Sequence, residues 1–290
     1  MTDDAIAEIR RAISGSKGLL VARAAQIAAR RGLQDLIPDL ATAFDRFMVD
    51  GARTDKQCNA KIAITAALNR LETLDDSVFL LGSRYVQMEP AFGGQVDTAA
   101  EMRCNCASGL ARIGRPDALY VLTDLLVDSE RTVRAAAVKA LSYIASPESE
   151  VLLRLKALTG DGDLEVIREC FTSLLVMSPD RSLGFITRFL RSHDPAVAES
   201  AALTIGESRV SGAFEALSEC WDDDPSPTTR RALLLPIALV RNDEALDFLL
   251  EVVRTADNTT SATAVTALDL YADTESVRKV REAVARRKGF

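Results

Sequence analysis

Few residues in this sequence could do chemistry. The only histidine is His193, in the turn Ser192-His193-Asp194-Pro195. Imidazole is the commonest general base and the commonest metal ligand, so nearly the whole chain lacks both. Asp194 is a sequence neighbour of His193 with no placed nucleophile, which does not make a triad. Cys104-Asn105-Cys106 suggests a metal or redox pair, yet on a helix residues two apart point to different faces. Cys58 is a third thiol that neighbouring repeats could bring near, but thiolate zinc sites generally need three or four ligands. Asp161-Gly162-Asp163-Leu164-Glu165 opens like a calcium loop, but it lacks glycine at the sixth position, and Thr172 stands where the bidentate glutamate belongs. It reads as a turn in which Asp163 caps the next helix. Gly15-Ser16-Lys17-Gly18 lacks the phosphate-loop spacing. The five cysteines are scattered and odd in number, which points to reduced thiols and no disulfide framework. No residue is assigned as catalytic, cofactor-binding or metal-ligating, no cofactor is implied, and the inventory leans away from an enzyme.

The elements that would position any site are repeats. With Val133-Arg134-Ala135-Ala136-Ala137-Val138-Lys139-Ala140-Leu141 as template, matching segments start at Ala60, Met102, Val166, Val197, Thr229 and Thr260, with a weaker copy near Val21. From Met102 onward the anchors fall 31 to 33 residues apart. The fourth position after each anchor (Ile64, Cys106, Ala137, Cys170, Ala201, Leu233, Ala264) and the eighth (Leu68, Leu110, Leu141, Leu174, Ile205, Ile237, Leu268) share one helical face. The seventh is mostly small, as close helix packing requires. A second amphipathic segment lies between anchors, as at 118–127, 150–158, 183–190, 213–221 and 245–253. Each repeat is therefore read as a helix hairpin. Ser146-Pro147, Ser178-Pro179, Asp194-Pro195 and Ser226-Pro227 each place a capping residue before a proline at the first helical position, and Thr98-Ala99-Ala100-Glu101 has the spacing of a capping box. No run of strand period competes, and 5% aromatic content is low for a β-rich chain.

These residues resemble the short bacterial HEAT-like repeats, including those named after phycobilisome lyases, which run Asp-x-x-Val-Arg-x-x-Ala-x-x-Ala-Leu; the resemblance is closest over 129–141. It implies an all-α fold, a right-handed α-solenoid of stacked helix hairpins. Residues 1–290 are read as a single domain of about seven to eight hairpins, with an insertion near 85–97 and a basic capping helix over 274–290. Val197-Ala198 replaces Val-Arg, and Pro236 falls in a helix interior, where a prolyl ring removes one hydrogen bond and should kink the helix.

Composition narrows the partners. Lys+Arg of 35 against Asp+Glu of 42 gives a net charge of -7, which disfavours nucleic acid. No apolar run approaches the length of a membrane span, and the acidic start Met1-Thr2-Asp3-Asp4 does not read as an export signal, so a cytoplasmic location is expected. The position after each anchor carries Lys61, Arg103, Arg134 and Arg230. One reading is a basic ladder gripping an acidic partner. The other, which the acidic balance favours, pairs each cation with a loop acid such as Asp97 or Asp128 to hold the stack.

The spacing lengthens to 39 and 42 residues between the first anchors, and inserted loops on solenoids carry specificity. The stretch around 45–59 reads as a lengthened helix and a polar turn. The stretch 85–97 mixes Tyr85, Gln87, Glu89 and Phe92 with paired glycines; it is either a binding loop presenting those four side chains or a loop folded over the hairpin end with Phe92 as anchor. Trp221 beside Asp222, Asp223 and Asp224 argues against a base-flipping DNA glycosylase of HEAT-like type. The function expected is a non-catalytic scaffold that binds a protein partner through the concave helix face and the 85–97 insertion. The alternative that the resemblance implies is an accessory or catalytic subunit similar to the phycobilin lyases.

Overall fold

The computed structural model describes residues 2–271 together with Arg278, Lys279, Glu282, Val284 and Ala285. Apart from those five positions, the basic helix expected over 274–290 lies outside the described residues. The chain divides into two compact units, Met1–Leu152 and Leu153–Phe290.

In the first unit the helices are α1 (Asp3–Ile13), α2 (Gly18–Arg31), α3 (Ile37–Met48), α4 (Gly51–Thr54), α5 (Asn59–Arg70), α6 (Ser77–Gly82), α7 (Ala100–Ile113), α8 (Ala118–Leu125) and α9 (Arg131–Ile144). The helices that carry the repeat anchors stack in one layer, α2 on α5, α5 on α7 and α7 on α9, while α1, α3, α6 and α8 back them as a second layer. Helix α10 (Pro147–Thr159) runs across the boundary. The second unit repeats the plan with α11 (Leu164–Met177), α13 (Pro195–Ser208), α15 (Pro227–Val240) and α17 (Asn258–Leu268) in one layer and α12 (Pro179–Thr187), α14 (Ala213–Asp223) and α16 (Asp243–Thr255) in the other. Both units are α-solenoid segments of stacked helix hairpins.

Burial follows the repeat. Every residue at the fourth and eighth positions after the anchors is buried, from Ile64 and Leu68 to Ala264 and Leu268. Such apolar burial is the main driving force available to a stacked hairpin, at about 25 cal/mol per Å². Helix starts fall at the prolines read from sequence, Pro147, Pro179, Pro195 and Pro227. The caps are chemically uneven. Asp163, Asp194, Asn242 and Asp257 accept backbone N–H groups of their helices, whereas Ser178 and Ser226 make no such bond.

Three local expectations change. Thr98 and Glu101 form no capping box: Ala99 occupies the cap, and the Thr98 hydroxyl instead donates to the Gln87 carbonyl and Glu89. Residues 45–59 are not one lengthened helix, because α3 ends at Met48 and is followed by α4 and a 3-10 turn, Lys56–Cys58. The stretch 85–97 contains a β-hairpin, β1 (Met88–Ala91) antiparallel to β2 (Gly94–Asp97), in the register Met88↔Asp97 to Ala91↔Gly94.

Candidate functional site

The hairpin is pinned at its base to the start of α5 and α7. Asp55, almost completely buried, accepts the Ala60 and Lys61 backbone N–H groups with its two carboxylate oxygens, and Lys61 Nζ at 3.1 Å. Lys61 is 0% exposed; its ammonium also donates to the Phe47 carbonyl and lies 5.2 Å from the Tyr85 ring centre. Tyr85 donates its hydroxyl to Gln87 Oε1, and Gln87 Nε2 donates to the Asp55 carbonyl and to Glu89 Oε1. One side of Gly51 is filled by these groups: a Cβ there would fall 2.2 Å from the Tyr85 hydroxyl. The hairpin base is therefore built into the first unit.

Glu89 Oε1 collects three donors, the Gln57 backbone N–H at 2.6 Å, Gln87 Nε2 at 2.6 Å and the Thr98 hydroxyl at 3.0 Å. Desolvation opposes the charge, but the bonds from Gln87, Thr98 and Gln57 outweigh it and hold the carboxyl below its usual value. Gln57 and Cys58 both adopt left-handed backbone, φ 57° and 55°, which turns the Gln57 N–H toward Glu89.

Arg103, 1% exposed, completes the base. Its NH1 donates to Asp97 Oδ2 at 2.6 Å and to the Tyr85 carbonyl, while Nε and NH2 grip both oxygens of Asp128 at 2.8 and 2.9 Å. Burial disfavours the cation, yet Asp128 and Asp97 raise its pKa above the ordinary arginine value. Asp97 Oδ1 also accepts the Gln87 and Ala99 N–H groups.

These positions settle where the sequence-predicted residues lie. Lys61 and Arg103 are interior ion pairs and not surface contacts. Arg134 donates to the Asp128 and Ser129 carbonyls. Arg230 donates to the Trp221 and Asp224 carbonyls and lies 5.4 Å from the Trp221 ring centre. All four cations turn back to the loop that precedes their own helix. An aspartate stands six residues before each, at Asp55, Asp97, Asp128 and Asp224; it meets Lys61 and Arg103 through its carboxylate and Arg134 and Arg230 through its backbone carbonyl. Gln87 is buried and Glu89 half-buried, both in the hairpin base.

Phe92 sits at the far end of the hairpin with its side chain fully exposed, so it anchors nothing within the unit. Gly93 beside it takes φ 91°, which a glycine supplies at little cost in a two-residue turn. Val86, Met88 and Val96 are also about half exposed on the hairpin.

The thiols show no activation. Burial pushes Cys58 and Cys170 up to about 12 and Cys106 higher still, which keeps them as neutral thiols. Among the described residues no three histidine, cysteine or acidic side chains are grouped to hold a metal ion, and no helix is long and apolar enough to cross a membrane.

Against known proteins, residues 95–174 and 151–235 match the family model of HEAT repeats. No curated protein matches the sequence. Solved structures that are similar include the complex of CpcE and CpcF of phycocyanin lyase from Nostoc, at 16% identity over 96% of this chain and 92% of that one, with a TM-score of 0.33. An engineered protein aligns at 15% identity over 97% and 83%, with a TM-score of 0.40. Human deoxyhypusine hydroxylase aligns at 15% identity over 97% and 94%, with a TM-score of 0.28. With anchor helices stacked in layers and the repeat matched across residues 95–235, this chain is a HEAT-repeat protein.

Proposed function

We propose that this protein is a non-catalytic adaptor that binds another protein in the cytoplasm, with the 85–97 hairpin as its leading contact. The observation that carries the reading is the contrast within that hairpin. Its base spends Tyr85, Gln87, Glu89 and Asp97 on internal bonds, while its tip holds Phe92 wholly in solvent. A large aromatic side chain held out on a pinned support gains burial on binding and loses little backbone freedom, which is the economy of an interface anchor. The exposed Val86, Met88 and Val96 widen the apolar surface around it.

The test is affinity capture from the native host with the wild-type chain and with Phe92→Asp, helical content being matched by circular dichroism. A protein enriched by the wild type should fall at least tenfold with the variant, because truncating an interface anchor costs about 2 kcal/mol or more. If every protein that the wild type enriches persists with Phe92→Asp, the hairpin is not the contact and the proposal fails.

A further inference from the structure

The cations that face solvent are not those of the expected ladder. In the first unit, α2, α5 and α9 contain no acidic residue, and α7 contains one, Glu101 in its first turn. The same layer carries exposed Arg23, Arg30, Arg70 and Lys139 and half-buried Arg112. In a chain of net charge -7 this is a marked local excess. Cations at Arg30, Arg70 and Arg112 suit the negative ends of their helices. That effect accounts neither for Arg23 and Lys139, which stand a turn or more further in, nor for the missing acids.

Two shallow grooves lie between helices of this layer. One, of about 320 Å³, is lined by Gln26, Ala29, Arg30, Ala63, Ala66 and Arg70 among others. The other, of about 370 Å³, is lined by Asn69, Ser108, Arg112, Lys139, Ala140 and Tyr143, among others. Arg30 donates only to the Gln26 carbonyl of its own helix and Arg112 to the Thr73 carbonyl, and neither they nor Arg70 pair with a carboxylate of the described residues. In the second unit the equivalent groove between α11 and α13 is lined by Thr172, Val176 and Glu207. There Glu207 is already paired with Arg168.

We infer that the exposed side of the α2, α5, α7 and α9 layer receives an acidic segment of the partner protein. Its carboxylates would meet Arg30, Arg70, Arg112 and Lys139, and one apolar side chain would seat against Ala140 and the exposed Tyr143 ring. Three helix-to-helix steps of about 8–10 Å span roughly 24–30 Å, the reach of about eight or nine residues of extended chain. The inference rests on the adaptor reading for the class of its partner.

The test uses the full chain and a fluorescein-labelled dodecapeptide of alternating glutamate and glycine with one central phenylalanine. Its controls are the same peptide with lysine for glutamate and a labelled twelve-nucleotide oligothymidylate. Fluorescence anisotropy should show the glutamate peptide binding, with affinity that falls as salt is raised and drops at least tenfold in Arg30→Glu/Arg70→Glu of unchanged helical content. Lys139→Glu provides a second, independent variant with the same expected loss. The Phe92→Asp chain should bind the peptide like the wild type, so failure here leaves the hairpin reading standing and failure of the hairpin reading leaves this result intact. No binding at 50 mM salt, equal binding by the charge-reversed chains, or tighter binding of the oligothymidylate through the same residues would each overturn the inference.

Discussion

Gly206 of α13 faces the backbone of Pro236 in α15 so closely that a Cβ on Gly206 would stand 2.1 Å from the Pro236 carbonyl oxygen. The obstacle is main chain inside a helix and cannot swing aside as a side-chain end would. Gly206→Ala should therefore force α13 and α15 apart and destabilise the second unit by about 1–3 kcal/mol, the usual range for overpacking. Urea unfolding followed by circular dichroism checks this. Gly184, which has nothing within 4 Å of a built Cβ, supplies the control: Gly184→Ala should leave the midpoint unchanged or slightly raised, since alanine is the better helix former.

Arg103 holds the buried Asp97 carboxylate and the partly exposed Asp128 carboxylate at once, and its removal takes that cation away from both. Arg103→Ala is expected to cost about 3–5 kcal/mol, the range for breaking a buried pair from one side. Arg103→Lys should recover only part of it, because an ammonium cannot span both oxygens of Asp128 while also meeting Asp97. Denaturant unfolding gives the magnitude, and amide exchange at Gln87 and Ala99 reports whether the hairpin base loosens with it.

The repeat architecture was legible because it is written in apolar positions that recur: the fourth and eighth residues after each anchor, such as Ala137 and Leu141, are buried throughout. The 85–97 hairpin was harder to read, because Pro90, Gly93 and Gly94 interrupt any strand-period run and a two-stranded ribbon gives little apolar alternation. The role of the cations after the anchors was legible in a different signal. Counting back six residues from Lys61, Arg103, Arg134 and Arg230 finds an aspartate each time, and the first turn of the helix brings each cation back over that loop. The solvent-facing Arg70 and Arg112 carry no such signal, because they fall late in the repeat, ten residues after the anchor and beyond the motif that recurs. Sequence alone also could not show that Phe92 stands in solvent, since a lone aromatic in a loop is as readily an anchor as a tip.

The thiols give a prediction about reactivity. Cys58 and Cys170 are buried and pushed up to about 12, and Cys106, wholly buried, is pushed higher. At pH 8 these three are neutral thiols without solvent access, so an alkylating reagent should modify them only at the rate of unfolding. All five cysteines should react promptly in denaturant. Prompt modification of Cys58 in the native chain, read by peptide mass spectrometry, would mean that the α4 to α5 segment opens independently of the unit.

Glu89 makes the hairpin base sensitive to acid. Its burial opposes ionisation, but hydrogen bonds from Gln87, Thr98 and Gln57 to the charged form win and lower its pKa from the usual 4.5. A carboxyl whose folded pKa lies below its unfolded one stabilises the folded state fully above the unfolded value, and that contribution is lost as pH falls through the folded value. Protection of the Gln57 amide against exchange, referred to the intrinsic rate at each pH, should therefore hold from neutral pH to about 4.5 and decline below it. In Glu89→Gln the neutral amide oxygen accepts more weakly, so Gln57 should start less protected at neutral pH and show little of that decline. Because Phe92 touches nothing in the base, Phe92→Ala should reproduce the wild-type profile and change stability by less than about 0.5 kcal/mol. A Phe92→Ala chain that lost this protection would mean that the tip packs against its own unit, and Phe92 would then no longer be available as a contact for a partner.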